Sequence, residues 1–156
     1  MKLILACDPK GGIGYQNRLP WDKIQGDLPR FKSLTMNNPI VMGRNTWESL
    51  PKKPLPNRLN IIISSNEFEP PNGAMWLPNL THYEIYKDAG KDSWLIGGAK
   101  LINSSWHLID EIHLTKTFAI YTCDTFIDLS YINANFTCMK SEMYDDHSYE
   151  VWTRVG

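Results

Sequence analysis

Trp94-Leu95-Ile96-Gly97-Gly98-Ala99-Lys100 reads as a short apolar strand that passes through two glycines into the start of a helix. The same grammar recurs at Pro39-Ile40-Val41-Met42-Gly43-Arg44-Asn45-Thr46, where a strand breaks at glycine, presents Arg44 and enters a helix through Asn45 and Thr46. A third apolar run closes as Ile61-Ile62-Ile63-Ser64-Ser65 and puts two hydroxyls at its end. Outward from these junctions, runs of strand length occupy Lys2–Cys7, Pro39–Met42, Leu59–Ser64, Ser93–Ile96 and Glu111–Thr115. Tyr149–Val155 alternates, with Tyr149, Val151, Thr153 and Val155 on one face. Between the runs lie helical candidates at Leu28–Thr35, Thr46–Leu50, Thr81–Lys87 and Lys100–Leu108. Turn signals at Pro9-Lys10-Gly11-Gly12, Pro54-Leu55-Pro56-Asn57 and Pro70-Pro71-Asn72-Gly73 mark the joints. Strands alternating with short helices predict an α/β domain whose sheet is largely parallel and ends in antiparallel strands.

In such sheets ligands bind at the carboxyl ends of the strands, so the chemistry is sought just after each apolar run. Helix N-termini with exposed N–H groups attract phosphates. One strand–glycine–helix junction alone signifies no more than a turn. Three strand ends carrying Arg44, Lys100 and the Ser64-Ser65 pair favour a dinucleotide with an extra phosphate.

Composition bounds the alternatives. The chain has 156 residues, enough for one domain with a full core, and is 42% hydrophobic and 21% charged, as a soluble globular protein is. Its net charge of -1 disfavours a nucleic-acid binder that works by neutralising phosphates. Cys7, Cys123 and Cys138 lack metal or redox spacing, and His82, His107, His113 and His147 form no zinc helix, so no metal site is expected. Leu3-Ile4-Leu5-Ala6-Cys7 has a faint likeness to a lipoprotein cleavage site, but the apolar run is short and ends at Asp8. A first β-strand, no membrane span and a cytoplasmic location are the expectations.

Three further segments suggest chemistry. The glycine-containing stretch Gly11-Gly12-Ile13-Gly14-Tyr15-Gln16-Asn17-Arg18 leads to Leu19-Pro20-Trp21, two large apolar side chains around a proline. That suits a lid over a site from which water must be excluded. Asp27 shares a helical face with Phe31 and Leu34, with Leu28 on the flank. Burial raises the pKa of a carboxylate, which is how a general acid or an anchor for a protonated heterocycle is made. Pro29 equally allows Asp27 to be a helix N-cap, and the two readings are compatible. Arg58, near Leu50 and Leu55, suits capture of a ligand carboxylate, or is a solvated surface arginine.

Together these segments resemble the dihydrofolate reductase family over nearly the whole chain. The resemblance is carried by Ile13-Gly14, Leu19-Pro20-Trp21, Asp27, Phe31 and Thr35, and by Met42-Gly43-Arg44-Asn45-Thr46-Trp47-Glu48-Ser49-Leu50, Leu55-Pro56-Asn57-Arg58 and Ile96-Gly97-Gly98. It implies a dihydrofolate-reductase-like α/β fold, with a central mixed, mostly parallel sheet flanked by about four helices. Residues 1–156 would form one domain, with residues of about 38–88 as an adenosine-binding subdomain. The implied activity is NADPH-dependent hydride transfer to dihydrofolate, giving tetrahydrofolate for one-carbon and thymidylate metabolism. A cytoplasmic monomer and antifolate target is implied, with no nucleic-acid or membrane partner.

The resemblance also assigns residues. Asp27 would bond the pterin and promote protonation at N5, Thr115 would support that carboxylate, Trp21 would hold an ordered water, and Leu19 would centre the lid. Ile4, Leu5, Leu28, Phe31, Leu50 and Ile96 would line the substrate cleft, with Arg58 on the glutamate tail. Ala6, Ile13, Gly14, Asn17, Arg18, Leu19, Ile96, Gly97, Gly98, Ala99, Lys100, Leu101 and Thr125 would hold the cofactor, as would Gly43, Asn45 and Thr46. Arg44, Ser64 and Ser65 would meet its 2′-phosphate, and the Gly97–Gly98 bond is expected to be cis. Leu19, Ile102 and Cys123 depart from residues frequent in the family, Met, Tyr and Gly respectively. A riboflavin-pathway reductase of the same fold would lack the Leu-Pro-Trp and Asp block and the tail arginine. A folate- or NADP-binding module without turnover is the rival from another class.

Overall fold

Five of the apolar runs pair side by side as parallel strands, an arrangement in which helical layers cover both faces of the sheet. The computed structural model describes residues 1–80 and 93–156. The predicted Thr81–Lys87 helix lies outside the described residues. In chain order the elements are β1 (Lys2–Cys7), β2 (Gly12–Gly14), α1 (Asp27–Thr35), β3 (Ile40–Gly43), α2 (Arg44–Ser49), β4 (Asn60–Ile63) and β5 (Ala74–Leu77). They continue as β6 (Trp94–Gly97), α3 (Ala99–Ser104), β7 (Glu111–Thr117), β8 (Thr125–Phe126), α4 (Leu129–Asn135), β9 (Phe136–Met143) and β10 (His147–Arg154). A short 3-10 turn, Trp106–Leu108, follows α3, so the single helix expected over Lys100–Leu108 is two pieces broken at Ser105.

The main sheet runs β5-β4-β3-β6-β1-β7-β10-β9. β5 through β7 are parallel, and β10 and β9 close the edge antiparallel. The expected fold class is therefore found. The segment read as a glycine loop contains a strand instead, since β2 pairs antiparallel with β8 in a small second sheet. β5, β8, β9 and α4 were not anticipated.

Period-two alternation sends the strand side chains to opposite faces. On one face Leu3, Cys7, Val41, Leu95, Ile112 and Leu114 pack with Ile102, Trp106 and Ile132 from the α3 and α4 side. On the other, Ile4, Ile40, Met42, Ile62 and Trp94 pack with Phe31 and Leu34 of α1 and Trp47 of α2. Ile40, Met42 and Ile62 are fully buried, each contributing roughly 1.5–3 kcal/mol. α1 enters through Gly26 in the left-handed region (φ 81), where any residue with a Cβ would be strained. Its apolar positions Phe31 and Leu34 then face the sheet, which brings its first residue, Asp27, beside β7.

Candidate active site

Asp27 is the first residue of α1, and the N-cap is Gly26 with no side-chain capping bond. The capping reading of Asp27 is thus set aside, and its half-buried carboxylate goes elsewhere. Thr115, buried on β7, donates from Oγ1 to Asp27 Oδ1 at 2.7 Å. Thr115 Oγ1 in turn accepts from Arg30 Nη1 at 3.3 Å. Ile4, Phe31, Leu50 and Ile96 belong to one apolar cluster on the α1 and α2 face. Leu28 is 70% exposed beside Asp27, an apolar side chain facing open space. Leu5 differs from this group: its side chain packs with the cluster on the opposite face, so toward Ile4 it offers only backbone. Arg58 is no free surface arginine. Partial burial lowers its proton affinity from the ordinary value, and it donates to Thr35 Oγ1 at 3.1 Å and to the Pro56 carbonyl at 2.9 Å.

The glycine segment and the β7–β8 connection are laced together. Asp8, fully buried just after β1, accepts from the backbone N–H groups of Lys10 and Gly12 through Oδ1, at 2.9 and 2.8 Å. Its Oδ2 accepts from Tyr121 N at 3.1 Å. Tyr15 and Arg18 exchange backbone bonds around Gln16 and Asn17, whose φ angles of 51° and 61° make a tight primed hairpin turn. Asp124 accepts from Gln16 N at 2.8 Å and from Thr125 Oγ1 at 2.8 Å, and these bonds hold its carboxyl below the usual range. Ile13 and Gly14 lie in β2, and Thr125 packs where a Cβ on Gly14 would sit, 3.3 Å away. Leu19 is 63% exposed, whereas Trp21 is buried edge-to-face against Tyr121 at 5.6 Å. The Leu19-Pro20-Trp21 segment therefore has one buried and one exposed apolar side chain.

The carboxyl ends of β3 and β6 lie side by side. β3 and β6 are neighbours, so Gly43 and the Gly97–Gly98 pair come together, and a Cβ on Gly43 would lie 3.7 Å from Gly98 N. The Gly97–Gly98 peptide is cis, as expected. Gly97 has φ 141°, and a Cβ there would sit 3.2 Å from Thr46 Oγ1. α2 starts at Arg44, Asn45 and Thr46, and α3 at Ala99, Lys100 and Leu101. Neither start has a side-chain cap, so first-turn N–H groups remain for a ligand. Ala6 lies near the carboxyl end of β1, paired with Thr115. Arg44 is not wholly free: its Nε donates to Glu48 Oε1 at 2.7 Å, its guanidinium covers Phe68 at 4.0 Å, and the bond keeps the Glu48 carboxyl low. Ser64 follows β4, accepting from Asn66 N through its hydroxyl at 3.2 Å, with exposed Ser65 beside it.

Sequence reasoning passed over Arg30, Asp8 and Tyr121. An acid directly after a strand and before Pro-Lys-Gly-Gly is the pattern of a side chain closing its own turn, and that signal was available for Asp8. Arg30 carries no such mark, since it reads as any cation on an exposed helix.

The dihydrofolate reductase profile matches residues 1–154. Dihydrofolate reductase type 8 from Escherichia coli is 36% identical over 154 residues, covering 94% of this chain and 90% of that protein. The dihydrofolate reductase of Ureaplasma parvum is 35% identical, with 94% and 92% covered. Among solved structures, a dihydrofolate reductase from Enterococcus faecalis complexed with NADP(H) and RAB-propyl superposes with a TM-score of 0.84. It is 29% identical, with 98% of this chain and 95% of that one covered.

Proposed function

The chain belongs to the dihydrofolate reductase family, and from that premise we propose that Asp27, held by Thr115, is the group that manages the proton in the reduction. The reaction is NADPH-dependent reduction of dihydrofolate. The observation that carries the assignment is the 2.7 Å bond from Thr115 to Asp27 at the edge of an apolar wall. With Oδ1 engaged, Oδ2 is left to bond the pterin and to promote protonation at its N5 through a water. One carboxylate in such a setting is sufficient, because the substrate needs one proton for each hydride.

The cradle at the strand ends fits a dinucleotide. A Cβ at Gly97 would crowd Thr46, and two uncapped helix starts flank the glycine pair. Gly43, Asn45, Thr46, Gly97, Gly98, Ala99, Lys100 and Leu101 would hold the pyrophosphate and ribose, with Arg44, Ser64 and Ser65 on the 2′-phosphate. When bound there, NADPH supplies the hydride. Ala6, Ile13, Gly14, Asn17, Arg18, Ile96 and Thr125 border the nicotinamide end, and Leu19 closes over it while Trp21 stays anchored. Ile4, Leu28, Phe31 and Leu50 hold the pterin and benzoyl rings, Leu5 contributes backbone, and Arg58 takes the tail carboxylate. The residues align two rings and exclude water, which is the larger part of catalysis in a hydride transfer.

Residues 1–156 act as one domain in this reading, with the region from about residue 38 to 88 binding the adenosine half. Its protein works as a cytoplasmic monomer, without nucleic acid, and is open to antifolates. No helix among the described residues is long and apolar enough to cross a membrane. The test is Asp27→Asn, followed by NADPH absorbance with dihydrofolate at neutral pH. Turnover should fall about 100-fold or more, with NADPH affinity kept; full activity would end the assignment.

A further inference from the structure

Arg30 sits three residues beyond Asp27 on α1, and its position behind Thr115 has a chemical consequence. Its Nη1 donates to Thr115 Oγ1 at 3.3 Å, and Thr115 Oγ1 is 2.7 Å from Asp27 Oδ1. A threonine hydroxyl has one proton and two lone pairs, whereas a guanidinium has donors only. With Arg30 on a lone pair, the single Thr115 proton is directed to Asp27.

The guanidinium is fixed from the sheet side. It lies 4.1 Å from the ring centroid of Tyr149 on β10 and 5.3 Å from that of Tyr144. Tyr149 is the register partner of Thr115, and its hydroxyl is 2.5 Å from His113 Nδ1. His113 Nε2 is 2.8 Å from Glu111 Oε2. Burial opposes the charge on Glu111, but the His113 bond and the Lys2 charge outweigh it and hold the carboxyl low. An ionised carboxylate accepts only, so the imidazole proton is on Nε2 and Nδ1 accepts from the Tyr149 O–H. Burial also lowers the proton affinity of His113, which favours this neutral form. The chain of bonds thus has one direction, and it leaves the electron-rich face of Tyr149 under the Arg30 cation.

We propose that Arg30 is a positioning residue for the reduction: it locks Thr115 as a donor to Asp27 Oδ1, places a fixed positive charge behind the pair, and so sets the pH range of turnover. The inference rests on the reading of Asp27 as the proton-handling carboxylate. The titratable and charged groups facing this cluster are Tyr149 and Tyr144, with His113 and Glu111 on β7, and Glu142 and Lys140 on β9. Lys2 on β1 also acts on His113 and Glu111, and among the cations Arg30 is the one bonded to Thr115.

The experiment is single-turnover reduction of dihydrofolate by the full chain with NADPH, from about pH 5 to about pH 9. Arg30→Met retains the stem over Tyr149 and removes charge and donors. The half-maximal point should move to higher pH, to about tenfold lower proton concentration, with NADPH affinity unchanged. Arg30→Lys restores the charge without the fork and should recover part of the shift. It also serves as the variant to read if Arg30→Met does not fold. A profile superimposed on the wild type in whichever of the two folds overturns the proposal. Asp27→Asn separates the two readings. Loss of the titrating limb there, with an unshifted Arg30 variant, defeats the role of Arg30 alone; a limb that survives in Asp27→Asn defeats both.

Discussion

Asp8→Ala should be among the most damaging single substitutions outside the substrate cleft. The carboxylate is fully buried and accepts three backbone N–H groups, from Lys10, Gly12 and Tyr121, at 2.9, 2.8 and 3.1 Å. Bonds to a charged acceptor are worth about 1.5–3 kcal/mol each, and stranding the buried Gly12 N–H costs about 1–3 kcal/mol more. Relief of the buried charge returns several kcal/mol, so the expected net loss is about 3–4 kcal/mol. For a chain of this size that is a fall in Tm of roughly 10 °C. Asp8→Asn keeps one acceptor but turns an amide N–H₂ toward a donor, and should lose about 1–2 kcal/mol. Urea unfolding of the ligand-free protein, followed by tryptophan fluorescence, gives the ordering directly. If Asp8→Ala loses less than about 1 kcal/mol, the accounting of the clamp is wrong and water replaces the carboxylate without penalty.

Gly97→Ala places a Cβ on a residue with φ 141° and 3.2 Å from Thr46 Oγ1. It should cost about 1–3 kcal/mol of stability and weaken NADPH binding at least tenfold, measured by fluorescence titration; unchanged affinity would remove the glycine pair from the cofactor cradle. Thiol labelling of the native protein at pH 8 should modify exposed Cys138 first, while Cys7, buried and pushed up to about 12, reacts only on unfolding. Rapid labelling of Cys7, read by mass spectrometry, would contradict the burial. For His113, burial puts the folded proton affinity below the ordinary 6.5, so the unfolded chain takes up the proton first as pH falls. Stability should therefore decline as pH drops below about 6.5, and His113→Gln should flatten that slope in urea melts. Parallel slopes in the two proteins would refute it.

Which elements could be read in advance follows from where each is buried. β1, β3, β4 and β6 are interior parallel strands, so both faces are largely apolar and the runs Lys2–Cys7 or Ile61–Ile63 stand out, whereas β7 is marked only by Ile112 and Leu114 on one face. β9 is an edge strand whose residues from Thr137 to Ser141 are all exposed, so its sequence lacks the apolar signal. β5, the opposite edge, buries only Leu77. α4 spans seven residues with one fully buried side chain, too short for periodicity to register, although Asp128 caps it by accepting from Tyr131 N. The site divides the same way. Asp27 and the glycine pairs are marked by unusual residues in local context, but Thr115 and Arg30 meet Asp27 only through the pairing of α1 against β7, which no window of sequence contains.

The order of the main sheet also bears on how the polypeptide is made. β1 is the first strand of the sheet to leave the ribosome, yet its two neighbours, β6 and β7, begin only at Trp94 and Glu111. Until then the central strand of the enzyme has two open edges, and β3, β4 and β5 can form only a detached three-stranded piece. Pairings this distant make for slow folding, and open apolar edges recruit other nascent copies. Nascent chains stalled before residue 94 should thus be clients for chaperones or proteases, and soluble yield should depend on completing synthesis faster than neighbouring chains can find one another.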